Sequence, residues 1–536
     1  MTTINLGKIS ITFQGDWAVT TQYKKNDAVR SPYNGSTYVA IIDNIGVAPH
    51  TSIDVSWTLS NIGLTDQEKA IFTTLGAGTA QTLAPNQKCV ALPIVNGIGG
   101  SVATAFLMAD NSVRTSGAAT ANGTVATYHT TPSDMRFDKL NAPSFVPRKV
   151  YLGQRQIYCL DTVTGQVASA GYNDISLGHN DTDSRRIGTM IQFFITNNIK
   201  IVDILTSKGW YSNGNSSTYF LTDAGEIYAC GYCGWGQLGN GSTADQYQPT
   251  KVVGLTGIVG FACSGDRTTV FAWNAAGTLW GWGNGQLYAL GNNTTTSYTT
   301  PQLLSSYITG VTQVSVTHDY SSAGANPSPF AIARKSDGTV WYAGSNTLGQ
   351  GGFGNAELSG LWRQVPGLSN IVKVYAQAGY YGITAALSST GHISLCGWGG
   401  NYLMGDLGGS RTLFYTPLIG SLPIQGSIID VKFGGIFSNS SLFILSSTNR
   451  IFMSGYQASG QNGRGTVSNT GYFQEILGIK GTIAEMVVTT GTDTQITLFV
   501  RYTNGAVDAL GTNNDYKAGA NSFTTTDLYT LTPVKF

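Results

Sequence analysis

The sequence predicts an all-β protein, a small N-terminal β module followed by a β-propeller of seven or eight blades. Three observations carry this. A strand–turn–strand frame recurs eight times between Asn111 and Gly511. Glycine accounts for 68 of 536 residues and charged residues for only 11%, against roughly 7% and 25% in typical globular chains. The first 62 residues carry a separate, aromatic-rich pattern.

The frame is seen in NSVRTSG ending at Gly117, GQVASAG at Gly171, GEIYACG at Gly231 and GTLWGWG at Gly283. It continues in GTVWYAG at Gly344, GHISLCG at Gly397, NRIFMSG at Gly455 and GAVDALG at Gly511. The turn residues are Asn111, Gly165, Gly225, Gly277, Gly338, Gly391, Asn449 and Gly505. Gly or Asn is expected there because hairpin turns need a positive φ. Two residues later stands an aliphatic residue each time: Val113, Val167, Ile227, Leu279, Val340, Ile393, Ile451, Val507. These predict strands buried between blades, and an apolar run before each turn predicts the partner strand. From Gly117 to Gly511 is 394 residues in seven steps, a mean of about 56. A period in that range signals stacked or ring-forming repeats, and a ring of four-stranded blades protects its strand edges.

The glycine-rich run GYCGWGQLGNG, Gly231 to Gly241, invites comparison with a phosphate-binding loop. It lacks the lysine such a loop needs, and no amphipathic helix follows. Together with its continuation STADQYQPTKV, it resembles a repeat of the regulator of chromosome condensation family of β-propellers. Gly231, Gly236, Gln237, Leu238, Gly239, Gly241, Pro249 and Val252 match the family pattern. The runs at Gly171, Gly281 and Gly344 match in part, and VTQVSVTHDY, with His318, resembles the strand that precedes the repeat. The resemblance covers about residues 85–536 and implies a propeller, usually of seven blades, whereas the motif count here is eight. The final TPVKF is expected to pair with the first unit and close the ring.

Residues 1–62 form the N-terminal module. Trp17, Tyr23, Tyr33, Asn34-Gly35, Tyr38, Pro49 and Trp57 make a closely spaced aromatic pattern, and SPYNGSTYVAI reads as a hairpin about Asn34-Gly35. The pattern resembles the small carbohydrate-binding module of chitinases, and more closely its version near the N-terminus of bacteriophage tail-fibre and tail-associated proteins. Trp17 and Trp57 suit a small core, while Tyr23 and Tyr33 are better placed to stack on sugar rings. Residues 63–84 read as a short helix and linker, with Thr65 and Glu68 as a capping box and Gly76 as a C-cap. The helix is too short to establish a trimer; oligomerisation stays open.

A net charge of +1 argues against broad nucleic-acid binding. No basic, apolar leader opens the sequence and no long apolar run crosses it, which predicts synthesis in a cytoplasm and no membrane span. Six cysteines are scattered, with Cys230 and Cys233 the only close pair. Cys230 and Cys396 occupy a small-residue slot before the closing glycine, so packing is expected rather than metal or disulfide chemistry. No cofactor, metal or catalytic residue is expected: nucleophile elbows, metal-binding helices and paired carboxylates are missing from usable context.

The function implied by these resemblances is that of a non-enzymatic virion structural protein of a phage tail, a fibre or receptor-binding component. Its partners would be other tail or baseplate proteins and a host surface glycan or outer-surface protein, and its location the virion tail. A bacterial adhesin or lectin, or an enzyme degrading surface polysaccharide, are the alternatives. Little charge with 27 tyrosines and 10 tryptophans suits recognition by aromatic, neutral loops. The candidate ligand-binding residues are Tyr23, Tyr33, Tyr232, Trp235, Tyr288, Tyr402, Tyr456 and Tyr516, with Tyr172 in the same frame.

Overall fold

The structure is a computed structural model of the 536-residue chain. From Leu83 onward it describes the chain except residues 96–102, 118–128, 139–141, 154, 174, 208–215, 266–267, 318–328, 378–381, 406–408, 417, 420–421, 424–425, 436–439, 465–471, 491–495, 514–517 and 519–526. Before Leu83 it describes the backbone of seven short strands. The chain divides into two units. One is Met1–Ala84 with Leu477–Thr482, the other Pro85–Ile476 with Ile483–Phe536.

In the first unit, Thr2–Asn5, Ser10–Asp16, Asp27–Arg30, Thr37–Ala40 and Trp57–Thr58 form a sheet in that order. Gln22–Tyr23 pairs separately with Asn44–Ile45. Asp27–Arg30 and Thr37–Ala40 are antiparallel, with Arg30 opposite Thr37. The expected turn at Asn34-Gly35 and the expected helix after Thr65 lie outside the described residues.

The second unit is an eight-bladed β-propeller, which settles the choice between seven and eight. Its blades run over 89–134, 149–190, 201–251, 258–303, 311–364, 371–415, 428–475 and 483–533. Each is a meander of four antiparallel strands, as in blade 3: Ile201–Thr206, Ser217–Thr222, Ile227–Gly231 and Gln246–Lys251. Blade 2 gains two parallel edge strands from earlier in the chain, Ile94–Val95 on its first strand and Phe137–Asp138 on its fourth.

The eight turn residues lie between second and third strands, all with positive φ, from 62° at Asn111 to 88° at Gly505. In blade 3 the three-residue turn closes with the Thr222 N–H donating to the Glu226 carbonyl at 2.9 Å. Glycine answers a second need here. A Cβ on Gly277 would lie 2.5 Å from the Gly310 Cα, because the next blade's first strand starts against the turn. That contact is a hydrogen bond repeated round the ring. The Ile201, Ile258, Val311, Ile371 and Ile428 N–H groups donate to the carbonyls of Gly165, Gly225, Gly277, Gly338 and Gly391 at 2.8–3.1 Å. Where the turn carries Asn449 instead, its Oδ1 accepts from the Ile483 N–H at 2.7 Å.

All eight predicted aliphatic residues are buried, none more than 2% exposed. They join consecutive blades. Ile227 packs with Ile258 and Val270 of blade 4, Val340 with Ile371 and Val374 of blade 6, and Ile393 with Ile428 and Val431 of blade 7. Side-chain bonds between successive first strands place those strands innermost. The Gln313 amide bonds both the N–H and the carbonyl of Val374, at 3.0 and 2.8 Å, and the Ala376 N–H donates to the Ser315 Oγ at 2.9 Å.

One expectation needs correction. The C-terminal strand Leu528–Pro533 pairs with Val507–Gly511 inside blade 8, not with the strands of the first repeat, blade 1. The first blade begins with its own first strand at Cys89–Ala91 and so needs none from the C-terminal end. The ring closes instead by packing. The Phe106 ring meets Phe499 and Phe536 edge-on at 5.6 and 5.1 Å. The Cys89 N–H donates to the Gly505 carbonyl at 3.0 Å, the same bond that links the other blades.

The closing glycines are not evenly spaced. They lie 52–56 residues apart from an odd blade to the next even one, and 58–61 from an even blade to the next odd.

Candidate recognition face

Each third strand starts at the hairpin turn and ends at its closing glycine, so the loops after the closing glycines share the face opposite the turns. The closing glycines hold φ between 83° and 117°. In blades 2 to 8 the following residue donates its N–H back to a carbonyl at or just ahead of the start of the second strand. Tyr172 reaches Arg155, Tyr232 reaches Ser216, Trp398 reaches Gly382 and Tyr456 reaches Ser440, at 2.9–3.2 Å. Three of the aromatics singled out from the sequence thus occupy one repeated position. Trp398 occupies it too and was missed; aligning the frames on the closing glycine would have found it.

Exposure differs among them. Tyr172 is 43% exposed, with the Arg155 guanidinium 5.5 Å over its ring. Tyr232, Trp398 and Tyr456 are half-buried, and the Tyr232 hydroxyl lies back over Gly234. Trp235 is half-buried one turn further on, its N–H held by the Gln237 Oε1 at 2.9 Å.

Tyr288 and Tyr402 sit elsewhere, in the turn that follows, with φ of 60° and 61°. Ile175 (69°) takes the same position in blade 2, whereas blades 3, 5 and 7 place Gly236, Gly349 and Gly460 there. The left-handed region disfavours bulky side chains. The ring of Tyr288 is accommodated by the next blade's fourth strand, where a Cβ on Gly360 would lie 3.5 Å from its Cδ1. The glycine blades follow with a glutamine, Gln237, Gln350 or Gln461, almost wholly buried. Tyr516 and Tyr33 lie outside the described residues. Tyr23 is described only as backbone, paired with Asn44; His318 is likewise outside.

The run GYCGWGQLGNG folds over the blade end. A Cβ on Gly239 would come within 2.8 Å of the Trp282 Nε1 of blade 4, whose N–H donates to the Gln237 carbonyl at 2.8 Å. Glycine here lets two blades approach. The two neighbouring cysteines serve different interfaces. The Cys230 thiol donates to the Ser176 carbonyl of blade 2, and the Cys233 thiol to the Ser242 carbonyl of its own loop, at 3.1 and 3.2 Å. All six cysteines are buried and free, and burial pushes the Cys233 thiol up to about 11.

A pocket of about 490 Å³ near the blade 2 loop is lined by His179, Arg185, Asn180 and Gln248. The His179 Nε2 lies 2.8 Å from the Ser169 Oγ. That hydroxyl donates to the Leu177 carbonyl at 2.9 Å, so its proton is committed and the pair is not a nucleophile with its base. Burial, and then the Arg185 charge, lower the His179 pKa from 6.5 to about 4. The unfolded chain therefore binds a proton here that the fold excludes, and stability falls as the pH drops from about 6.5 towards 4. Thermal unfolding across that window is expected to show the fall, and His179→Asn to flatten it.

Among the described residues no group of three or more His, Cys, Asp and Glu is arranged to hold a metal ion, and no helix is long and apolar enough to cross a membrane. What the geometry defines is a β-propeller with one face of aromatic-bearing loops. Two of its segments, 224–271 and 276–323, match the regulator of chromosome condensation (RCC1) repeat, and the fold is an RCC1-like propeller. Human E3 ubiquitin-protein ligase HERC2 is 30% identical over 250 residues, 46% of this chain and 5% of that protein. Human probable E3 ubiquitin-protein ligase HERC4 is 30% identical over 143 residues, 26% of this chain and 13% of that protein. The matches thus cover only a small part of these relatives. Among solved structures, human WBSCR16 aligns at 15% identity with a TM-score of 0.48, covering 69% of this chain and 89% of that one. Prp20p of Saccharomyces cerevisiae, described with its binding to Gsp1p and histones, aligns at 14% and 0.47, covering 71% and 86%.

Proposed function

We propose that this chain is a recognition scaffold without catalysis of its own, and specifically a virion protein of a bacteriophage tail, a fibre or receptor-binding component. The observation that carries the reading is the repeated position after the closing glycines, aromatic in four blades as Tyr172, Tyr232, Trp398 and Tyr456 and neutral and polar in three as Asn284, Ser345 and Thr512, on one face of the ring. Loops on a rigid scaffold suit recognition, and aromatic rings with neutral hydrogen-bonding neighbours suit glycan or protein surfaces. The N-terminal aromatic pattern, with its resemblance to tail-associated modules, supports attachment to other tail or baseplate proteins, or a second contact with sugar through Tyr23 and Tyr33. The ligase activity of the curated relatives is not carried over.

Binding of the purified chain to host cells is the test. It is expected to change less than about threefold between low salt and about 0.5 M, because attachment by aromatic and neutral groups escapes the ionic screening that acts over about 8–10 Å. Tyr172→Ala and Trp398→Ala are expected to weaken it. A steep loss with salt would replace aromatic recognition by ionic attachment. Antibody labelling of virions under the electron microscope locates the chain, and label absent from the tail would remove the phage assignment.

A further inference from the structure

The first strands of blades 5 to 8 enclose a cavity of about 520 Å³, with Pro93 and Ile94 on its other wall. This volume falls within the range of small-molecule sites, roughly 300–1,000 Å³. Its charges are unequally satisfied. Asp430 is paired with Lys432 at 3.2 Å. Glu485 is paired with Arg501 at 3.1 Å and accepts the Leu92 N–H at 3.0 Å. Lys373 also lines the cavity, is exposed within its strand, and has no ion pair among the described residues. Two residues on, and so on the same strand face, Tyr375 carries a buried hydroxyl with no hydrogen-bond partner. Burial, then the Asp430 charge, raise its pKa, so the group stays a neutral donor. Ser315 adds a third polar group to this wall. Its Oγ accepts from the Ala376 N–H and keeps its own proton to give. The Gln313 amide fixes this stretch of backbone by bonding both polar groups of Val374. Ile94, Phe433 and Met486 add apolar surface to the lining.

We infer that this cavity binds a small monoanion carried on a ring of mixed polarity, a carboxylated monosaccharide of the uronic acid kind, with Lys373 and the Tyr375 hydroxyl on the carboxylate. One cation without an ion pair, on the same strand face as a donor without a partner, suits a single negative charge, since charge-assisted bonds are the strong ones and Asp430 and Glu485 each already hold a cation of their own. The apolar wall suits the C–H face of a sugar ring. The site is independent of the outer loop face and does not rest on the phage reading.

Calorimetric titration of the full chain at low salt, with sodium glucuronate, glucose and sodium acetate as probes, tests it. Glucuronate is expected to bind, and glucose and acetate each at least tenfold more weakly. Lys373→Ala is expected to weaken glucuronate at least tenfold, and Tyr375→Phe, which keeps the ring, about three- to tenfold. Asp430→Asn frees Lys432 and removes a carboxylate near Tyr375, so affinity is expected to rise several-fold, a gain that misfolding would not give. Lys251→Ala, on an outer strand, should leave binding unchanged. No glucuronate binding by the wild type, undiminished binding in Lys373→Ala, or equal binding of acetate would each overturn the proposal. Host-cell binding by Lys373→Ala at the wild-type level would leave the outer-face reading standing whichever way the titration falls.

Discussion

Phe106→Ala lowers the stability of the propeller by about 3–5 kcal/mol, the range for truncating a buried aromatic residue. Phe106 is fully buried where blade 8 meets blade 1, between Phe499 and Phe536. The other seven junctions are crossed by the chain itself, whereas this one is held by side chains and a few hydrogen bonds, among them Cys89 to Gly505 and Leu92 to Glu485. The loss is therefore expected as opening at one seam. Hydrogen exchange should quicken first in the strands beside it, Cys89–Ala91 and Val507–Gly511, with blades 3 to 5 protected. Denaturant unfolding measures the size of the effect. A loss below about 1 kcal/mol would mean that the seam carries little of the ring's stability.

Ile227→Ala and Ile393→Ala each cost about 2–5 kcal/mol, the usual price of an aliphatic side chain removed from a packed core. Both are at most 1% exposed and each bridges two blades, Ile227 to Ile258 and Ile393 to Ile428. The two sites share no packed cluster, so the double variant should show the sum of the single losses to within about 0.5 kcal/mol. Equal thermal midpoints for wild type and either variant would contradict the register described here.

The blades were legible because two backbone demands recur at fixed spacing. The turn residue must take a positive φ and leave room for the next blade, as at Gly277, and the closing glycine must turn the chain back along its own sheet. Both restrict residue choice strongly enough to show in one sequence. The first strands left a weaker trace. Their bulges, as between Ile201 and Asp203, interrupt the alternation a strand would otherwise show. Ile94–Val95 joins blade 2 from more than fifty residues upstream, a pairing no local pattern encodes. The closure was misread at TPVKF because sequence shows which end carries a strand but not which partner it takes. In the loops, Tyr288 and Tyr402 looked like projecting aromatics. Their left-handed backbone was invisible because propensity points away from it, and the permissive feature, Gly360 in the case of Tyr288, stands in a different blade.

The uneven spacing of the closing glycines and the change of loop type from blade to blade run together. Blades 3, 5 and 7 carry the glycine–glutamine turn; blades 2, 4 and 6 carry Ile175, Tyr288 and Tyr402 in its place. Over blades 2 to 7 the ring is thus better counted in pairs than as equal members. A partner reading this turn alone would meet like backbone two blades on, whereas the residue after the closing glycine, aromatic in blades 2, 3, 6 and 7 and Asn284, Ser345 and Thr512 in blades 4, 5 and 8, makes blades four apart the matching ones.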